Sequence, residues 1–183
     1  MKTPFIKTAL ASALCIGFAL TGAAQAQLNG NAELPRGALA SADVDFLQTA
    51  DAANMDQLML GKRAASRSRD PAVHSLADTM VQSYGKADNE LRLLAGAKHV
   101  DLAHNPTRKG QDEADELMDH EVSLERAYIE DVNRNTDDLI AMYETARANS
   151  DDADIRAFAD EMLVALQNHK RQASDLVARK GGG

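Results

Sequence analysis

The fold is decided by residues 41–96, which read SADVDFLQTADAANMDQLMLGKRAASRSRDPAVHSLADTMVQSYGKADNELRLLAG. On both sides of Asp70-Pro71, apolar residues recur at steps of three and four, as they do along one face of an α-helix. An aspartate followed by proline favours an N-cap and a first helical residue, so this dipeptide separates two helices. The spacing predicts a first helix capped by Ser41 and a second helix that ends near Gly96.

The rest of the chain continues this helical pattern. Residues 98–110 have no hydrophobic period and contain a proline, which indicates a connector. A third helix is predicted from the acidic run at Asp112 to the break at Asn149, and a fourth continues to Leu176. Four amphipathic helices with two short links and one longer link predict an all-α fold. The expected architecture is an antiparallel, ferritin-like four-helix bundle over residues 41–178.

Both ends of the chain have a different character. Residues 1–26 have the layout of a secretory signal peptide, with two lysines, an apolar run and Ala24-Gln25-Ala26 before the expected cleavage point. The apolar run is too short for a membrane span of about 20 residues. Residues 27–40 predict a flexible lead-in, and residues 179–183 predict a disordered tail. We therefore expect a periplasmic or secreted protein without an integral membrane segment.

Net charge and cysteine content exclude several functions. The formal charge is −8, and removal of a leader with two lysines and no acidic residue changes it to −10. This acidic balance argues against nucleic-acid binding, which requires a basic surface. The single cysteine, Cys15, lies in the leader, so the mature chain has no disulfide, cysteine-ligated zinc or thiol chemistry. Without a nucleophile elbow or a phosphate loop, the sequence favours a non-enzymatic protein that binds an envelope protein or a second copy of itself.

Polar residues in phase with the apolar stripes are candidate metal ligands, because cofactor sites in helical bundles form from inward-facing carboxylates and histidines. The candidates are one histidine, one tyrosine and three carboxylates: Asp56, Tyr84, Glu121, Glu125 and His169. No Glu-x-x-His motif accompanies them, so each is also explained as a hydrogen-bonded core or rim residue. Two alternatives follow: a bundle without a cofactor, or a bundle that binds iron, manganese or zinc through these side chains.

The other histidines are predicted to lie at the surface, and three of them fall in or near loops or helix starts. They are His74, His99, His104 and His120. His104 follows Asp101 by three residues, but this Asp-x-x-His pair lies in the predicted connector. These residues were not expected to contribute to a site.

Residues 45–102 resemble the opening half of a bacterial exported family of unknown function, family 4142, whose members are placed with ferritin-like bundles. The resemblance rests on apolar positions and the start of the second helix: Phe46, Ala50, Gly61, Pro71-Ala72-Val73, Met80-Val81, Lys86-Ala87, Asn89 and Leu91. Later matches include Tyr128 within LERAYIEDV, then Met142-Tyr143-Glu144, and Leu166 with His169. Together they extend the resemblance over residues 42–176.

The resemblance implies a polar constellation in the core, which this chain retains only in part. Asp56 stands where the family has glutamate, Glu125 stands where it has aspartate, and His169 is retained. Ser83-Tyr84 replaces an Asp-His pair, and Thr136 replaces a histidine. Because hydroxyl groups bind transition metals poorly, the replacements predict a degenerate metal site. The expected function is an envelope stress or binding module.

Overall fold

The computed structural model describes residues 39–119 and 124–181, which form five α-helices. In chain order they are α1 (Ser41–Arg67), α2 (Pro71–Ala97), α3 (Arg108–Asp119), α4 (Leu124–Asn149) and α5 (Ala153–Gly181). No strand occurs in the two described ranges, so the prediction of an all-α fold is confirmed. The predicted signal peptide, most of the lead-in, His120 and Glu121 lie outside the described residues.

Five helices differ from the four that the sequence predicts. The predicted third helix corresponds to α3 and α4, on either side of residues 120–123, which are not described. Its start is also four residues earlier than predicted, at Arg108 rather than Asp112. The cause is local: Thr107 Oγ1 accepts a hydrogen bond from the Gly110 N–H at 2.8 Å and caps the first turn. The acidic run therefore lies inside α3.

The helix ends agree with the predicted caps in one case and differ in another. Asp70 caps α2 as predicted, because its Oδ1 accepts hydrogen bonds from the N–H groups of Ala72 at 2.8 Å and Val73 at 3.2 Å. Ser41, by contrast, is the first residue of α1, and the preceding residue Ala40 makes no side-chain cap. At the other end of the chain, α5 ends at Gly181, within the segment predicted to form the tail.

The long helices pack mainly as two pairs, α1 with α2 and α4 with α5. In the α1–α2 pair, Gly61 lies against α2, where a Cβ atom at this position would be 3.0 Å from Val81 Cγ2. In the α4–α5 pair, Ser174 Oγ donates a hydrogen bond to Asn133 Oδ1 at 3.2 Å, and Lys170 pairs with Asp137. These contacts fix the register along α4 and α5, which determines the side chains that meet across the core.

The core between the helices is mainly apolar, and three of its aromatic rings pack together. The Tyr143 ring packs edge-on against Phe46, with centroids 5.5 Å apart, and against Phe158 at 6.0 Å. This group joins α1, α4 and α5, and aromatic pairs of this kind stabilise a fold by about 0.5–1.5 kcal/mol beyond their buried area. No described helix combines the length and apolar character needed to cross a membrane.

The short helix α3 packs mainly against α1. Arg63 Nη1 donates to the carbonyl oxygen of Ala114 at 2.9 Å and pairs with Asp115 at 2.5 Å. A second attachment lies at the start of α3, where Asp56 binds Thr107. The start and the middle of α3 are therefore tied to α1 by polar contacts.

Candidate functional site

A layer of buried polar side chains crosses the helical core at one level. We call it the polar layer, and its members come from four helices: Asn54, Tyr84, Asn135, Thr136 and His169. Asn54 Nδ2 donates to the Tyr84 carbonyl oxygen at 3.0 Å, and the ring centroids of Tyr84 and His169 are 5.4 Å apart. The α4–α5 register described above brings Asn135 and Thr136 to the stretch of α4 that packs beside His169. Tyr84 of α2 thus contacts Asn54 of α1 and His169 of α5, and Asn135 and Thr136 of α4 are also buried.

Each member of the polar layer carries a buried polar atom that makes no hydrogen bond within the described part of the chain. These atoms are Asn54 Oδ1, Tyr84 Oη, Asn135 Nδ2, Thr136 Oγ1 and His169 Nδ1. A buried polar group without a partner costs about 1–3 kcal/mol of stability. The layer is therefore an expensive feature of the core, and costs of this kind are typical of functional positions.

The polar layer carries no net charge near neutral pH. Burial lowers the pKa of His169 to about 4, so its imidazole is neutral. Burial is also the main reason that the pKa of Tyr84 is raised, so its phenol keeps its proton. The other three members are amides and a hydroxyl, which do not ionise.

A core metal of the kind that the family resemblance implies does not fit this donor set. Transition-metal sites in helical bundles use several carboxylates together with histidines. The polar layer offers one imidazole and one protonated phenol, and none of its five members is a carboxylate. A divalent cation there would have no carboxylate ligand, and it would gain an anionic ligand only by displacing the Tyr84 proton.

Asp56, the predicted ligand from α1, contacts the start of α3 instead. Its Oδ1 accepts the Thr107 N–H at 2.7 Å, and its Oδ2 accepts the Thr107 hydroxyl at 2.6 Å. Burial raises the pKa of Asp56, and the two hydrogen bonds from Thr107 offset part of this increase. A Cβ atom at Gly110 would be only 2.0 Å from Asp56 Oδ1, so glycine is needed beside the carboxylate. Asp56 therefore anchors α3.

Glu125 is likewise separated from the polar layer. Its Oε1 accepts hydrogen bonds from the Arg69 N–H at 3.0 Å and from Ser68 Oγ at 3.3 Å. It lies ten residues before Asn135, which is about 15 Å along a helix axis. Glu125 therefore ties the start of α4 to the α1–α2 turn, and Glu121 lies outside the described residues. Of the predicted ligands, the structure brings together only Tyr84 and His169.

The sequence analysis missed a second group, which we call the Asp–Asp–His cluster: Asp51, Asp88 and His104. One potential ligand atom from each residue lies within 4.8 Å of the other two. His104 was predicted at the surface, and its side chain is 42% exposed, but Nδ1 is 3.4 Å from both Asp51 Oδ1 and Asp88 Oδ1. One signal was available, because Asp51 follows the core residue Leu47 by four positions and therefore shares its buried face.

A groove of about 350 Å³ lies where the start of α1 meets the end of α4. Its lining is largely apolar and includes Phe46, Met142 and Ala146. None of the predicted ligands lines it, and neither does any member of the polar layer or of the Asp–Asp–His cluster. The polar groups that could do chemistry therefore lie away from this groove.

Tyr84→Phe gives the first test of the polar layer. We expect the free energy of unfolding to change by less than about 1 kcal/mol, or to rise, because the lost hydroxyl makes no hydrogen bond to a described residue. Tyr84→Ala should instead cost about 3–5 kcal/mol through loss of the buried ring. Urea denaturation measures both. A loss above about 2 kcal/mol for the phenylalanine variant would indicate that the hydroxyl has a bound partner.

Comparisons with known proteins place the chain in a family. A family model described as "Domain of unknown function (DUF4142)" matches residues 29–176. Among solved structures, the crystal structure of a DUF305 fragment from Deinococcus radiodurans is similar, with a TM-score of 0.70 and 17% identity. The match covers 77% of this chain and 98% of that chain, and at this identity it shows the fold alone. No curated protein matches the sequence. The match over residues 29–176 confirms the resemblance seen in the sequence, and the chain belongs to the DUF4142 family.

Proposed function

We propose that this protein is an exported, non-enzymatic binding module of the cell envelope. In this proposal it is an antiparallel four-helix bundle of ferritin-like type, with a degenerate metal site in its core. The observation that carries the proposal is the neutral polar layer, in which Tyr84 and His169 meet without a carboxylate. The layout of residues 1–26 supports export.

Two steps connect the polar layer to a degenerate site. First, the resemblance implies an Asp-His pair at Ser83-Tyr84 and a histidine at Thr136, so the replacements fall within or beside the polar layer. Second, the carboxylates that remain are used elsewhere, because Asp56 holds α3 and Glu125 holds the α1–α2 turn. The chain thus keeps buried polar side chains where the resemblance implies a core site. The charged ligands implied there are either replaced or make hydrogen bonds elsewhere. In this proposal the protein acts through binding rather than catalysis.

Metal analysis of site variants tests this proposal. We expect wild type, His169→Gln and Tyr84→Phe, purified alike and dialysed, to retain the same amounts of iron, manganese and zinc. The reason is that removal of either core donor changes nothing when the core holds no metal. Elemental analysis by mass spectrometry makes the measurement, with circular dichroism to check folding. Stoichiometric metal that is present in wild type and lost in both variants would contradict the proposal.

The second candidate is a ferritin-like metal-binding or redox protein, and the contact between Tyr84 and His169 favours it. Their ring centroids are 5.4 Å apart, so the two donors of the polar layer lie side by side. If the core binds ferric iron through Tyr84, the purified protein should show a visible tyrosinate-to-iron absorption band. Tyr84→Phe should then abolish this band, whereas a colourless protein after addition of iron supports the degenerate site.

A further inference from the structure

We propose that the Asp–Asp–His cluster binds a divalent transition-metal ion, for which Zn²⁺ is the best match. The three ligands come from α1, α2 and the α2–α3 connector, and none of them belongs to the polar layer. On α1 and α2 the cluster lies one helical turn from Asn54 and Tyr84 of that layer. One carboxylate oxygen from Asp51, one from Asp88 and Nδ1 of His104 form the ligand set. An imidazole with two carboxylates suits Zn²⁺, whereas Ca²⁺ prefers six to eight oxygen ligands.

Charge is the first argument for a cation at this position. The Asp51 side chain is only 1% exposed, and Asp88 Oδ1 is buried and accepts no hydrogen bond from the described residues. Neither carboxylate pairs with a lysine or arginine in residues 39–119 and 124–181; their ion-pair partner there is His104. Two carboxylates so close together repel one another unless a shared proton, a protonated imidazole or a cation lies between them. A divalent cation supplies such a positive charge.

The distances provide a second, independent argument. His104 Nδ1 is 3.4 Å from one oxygen of each carboxylate, which is long for a hydrogen bond. Ligand atoms that each lie 2.0–2.1 Å from a tetrahedral ion are separated from one another by about 3.3–3.4 Å. The spacing around Nδ1 therefore corresponds to that of metal ligands.

The connector is held so that the His104 ring faces the carboxylates. Asp51 Oδ2 accepts the backbone N–H of His104 at 2.7 Å, while Asp51 Oδ1 faces Nδ1. His104 has a φ of 52°, a left-handed conformation that this hydrogen bond helps to maintain. One oxygen of Asp51 thus positions the loop and the other is left for the ion. With three protein ligands, a water molecule would complete a tetrahedral Zn²⁺ site.

Calorimetric titration with ZnCl₂ tests the site in the purified, metal-stripped protein. We expect one Zn²⁺ per chain, and an affinity reduced by at least about 100-fold in Asp88→Asn and in His104→Gln. Loss of a direct ligand should exceed the effect of a residue that only orients one, which is about 10- to 100-fold. Because His104 lies in an exposed connector, His104→Gln serves as the second variant should Asp88→Asn fail to fold. Co²⁺ provides a spectroscopic check, since a tetrahedral Co²⁺ spectrum should disappear in His104→Gln.

Two controls separate this site from other sources of binding. His74→Gln alters an exposed His–Asp pair, His74 with Asp78 at 3.1 Å, and should leave Zn²⁺ affinity unchanged. His169→Gln alters the core and should also leave it unchanged. Absence of Zn²⁺ binding, or binding that survives both Asp88→Asn and His104→Gln, would overturn the metal site. Zn²⁺ binding that is lost in His169→Gln but kept in Asp88→Asn would overturn the cluster site and would also count against the degenerate core. The first two outcomes overturn the cluster site alone.

Discussion

Gly110→Ala is expected to lower the free energy of unfolding by about 3 kcal/mol, although alanine is the better helix former. The added Cβ would be 2.0 Å from Asp56 Oδ1 and 2.1 Å from Asp56 Cγ, so the carboxylate must move away. It then loses both hydrogen bonds from Thr107, at 2.7 and 2.6 Å. Hydrogen bonds to a charged group contribute about 1.5–3 kcal/mol each, which exceeds the gain of about 1 kcal/mol from helix propensity. Urea denaturation of wild type and variant measures this difference in the free energy of unfolding.

A double-mutant cycle with Asp56→Ala isolates this contact. Asp56→Ala alone should cost about 3 kcal/mol, because the Thr107 N–H and hydroxyl lose their acceptor. In that background Gly110→Ala has no carboxylate to displace and should be neutral or stabilising by up to about 1 kcal/mol. The matched control is Gly85→Ala on α2, where a Cβ atom meets nothing within 4 Å. Additive effects of Asp56→Ala and Gly110→Ala would show that the cost of Gly110→Ala does not come from displacement of the Asp56 carboxylate.

Acidification is expected to destabilise the protein through His169. Burial lowers the pKa of this imidazole from 6.5 to about 4, so the unfolded state binds a proton at a higher pH than the folded state. The stability that depends on neutral His169 is therefore complete above about pH 6.5 and is lost as the pH falls towards 4. A shift of this size corresponds to about 3 kcal/mol, a large part of the 5–15 kcal/mol typical of a domain.

His169→Gln separates this titration from that of other groups. The variant has no ionisable group at this position, so its free energy of unfolding should vary less between pH 7 and pH 4. The difference between wild type and variant should change by about 3 kcal/mol over that range, in favour of the variant at low pH. Denaturant unfolding at several pH values measures both curves. If the free energy of unfolding changed with pH equally in wild type and variant, the imidazole would be protonated in the folded state near its ordinary pKa.

The helices could be predicted from the sequence because hydrophobic periodicity and helix caps involve only residues that are close together in the chain. Asp70-Pro71 marks the start of α2 through a cap that involves only neighbouring residues, and it is present as expected. The start of α3 was placed four residues late, since an acidic run is a general preference for a helix start. The cap that starts α3 earlier, from the Gly110 N–H to the Thr107 hydroxyl, is itself local. The bond from the same hydroxyl to Asp56, 51 residues away, could not be predicted from local sequence.

The site residues likewise divide into those whose place could be predicted from periodicity and those whose place could not. His169 and Tyr84 lie on apolar stripes, so their burial was predictable, and the structure places their rings together. Asp56 lies near the edge of its stripe, and periodicity alone does not distinguish a ligand from the anchor of another helix. His104 lies in a connector without a period, so its contact with Asp51 and Asp88 was not predictable from spacing.

By itself, the sequence determined the all-α class, the two helices of residues 41–96 and the family, because helical periodicity and caps are encoded within a few neighbouring residues. Only the tertiary structure decided which polar groups meet. Packing of α1 against α2 and of α4 against α5 brings neutral side chains into the polar layer, while the connector brings His104 to two buried carboxylates. Such contacts join segments that are far apart in the chain, so they form only when the helices pack together.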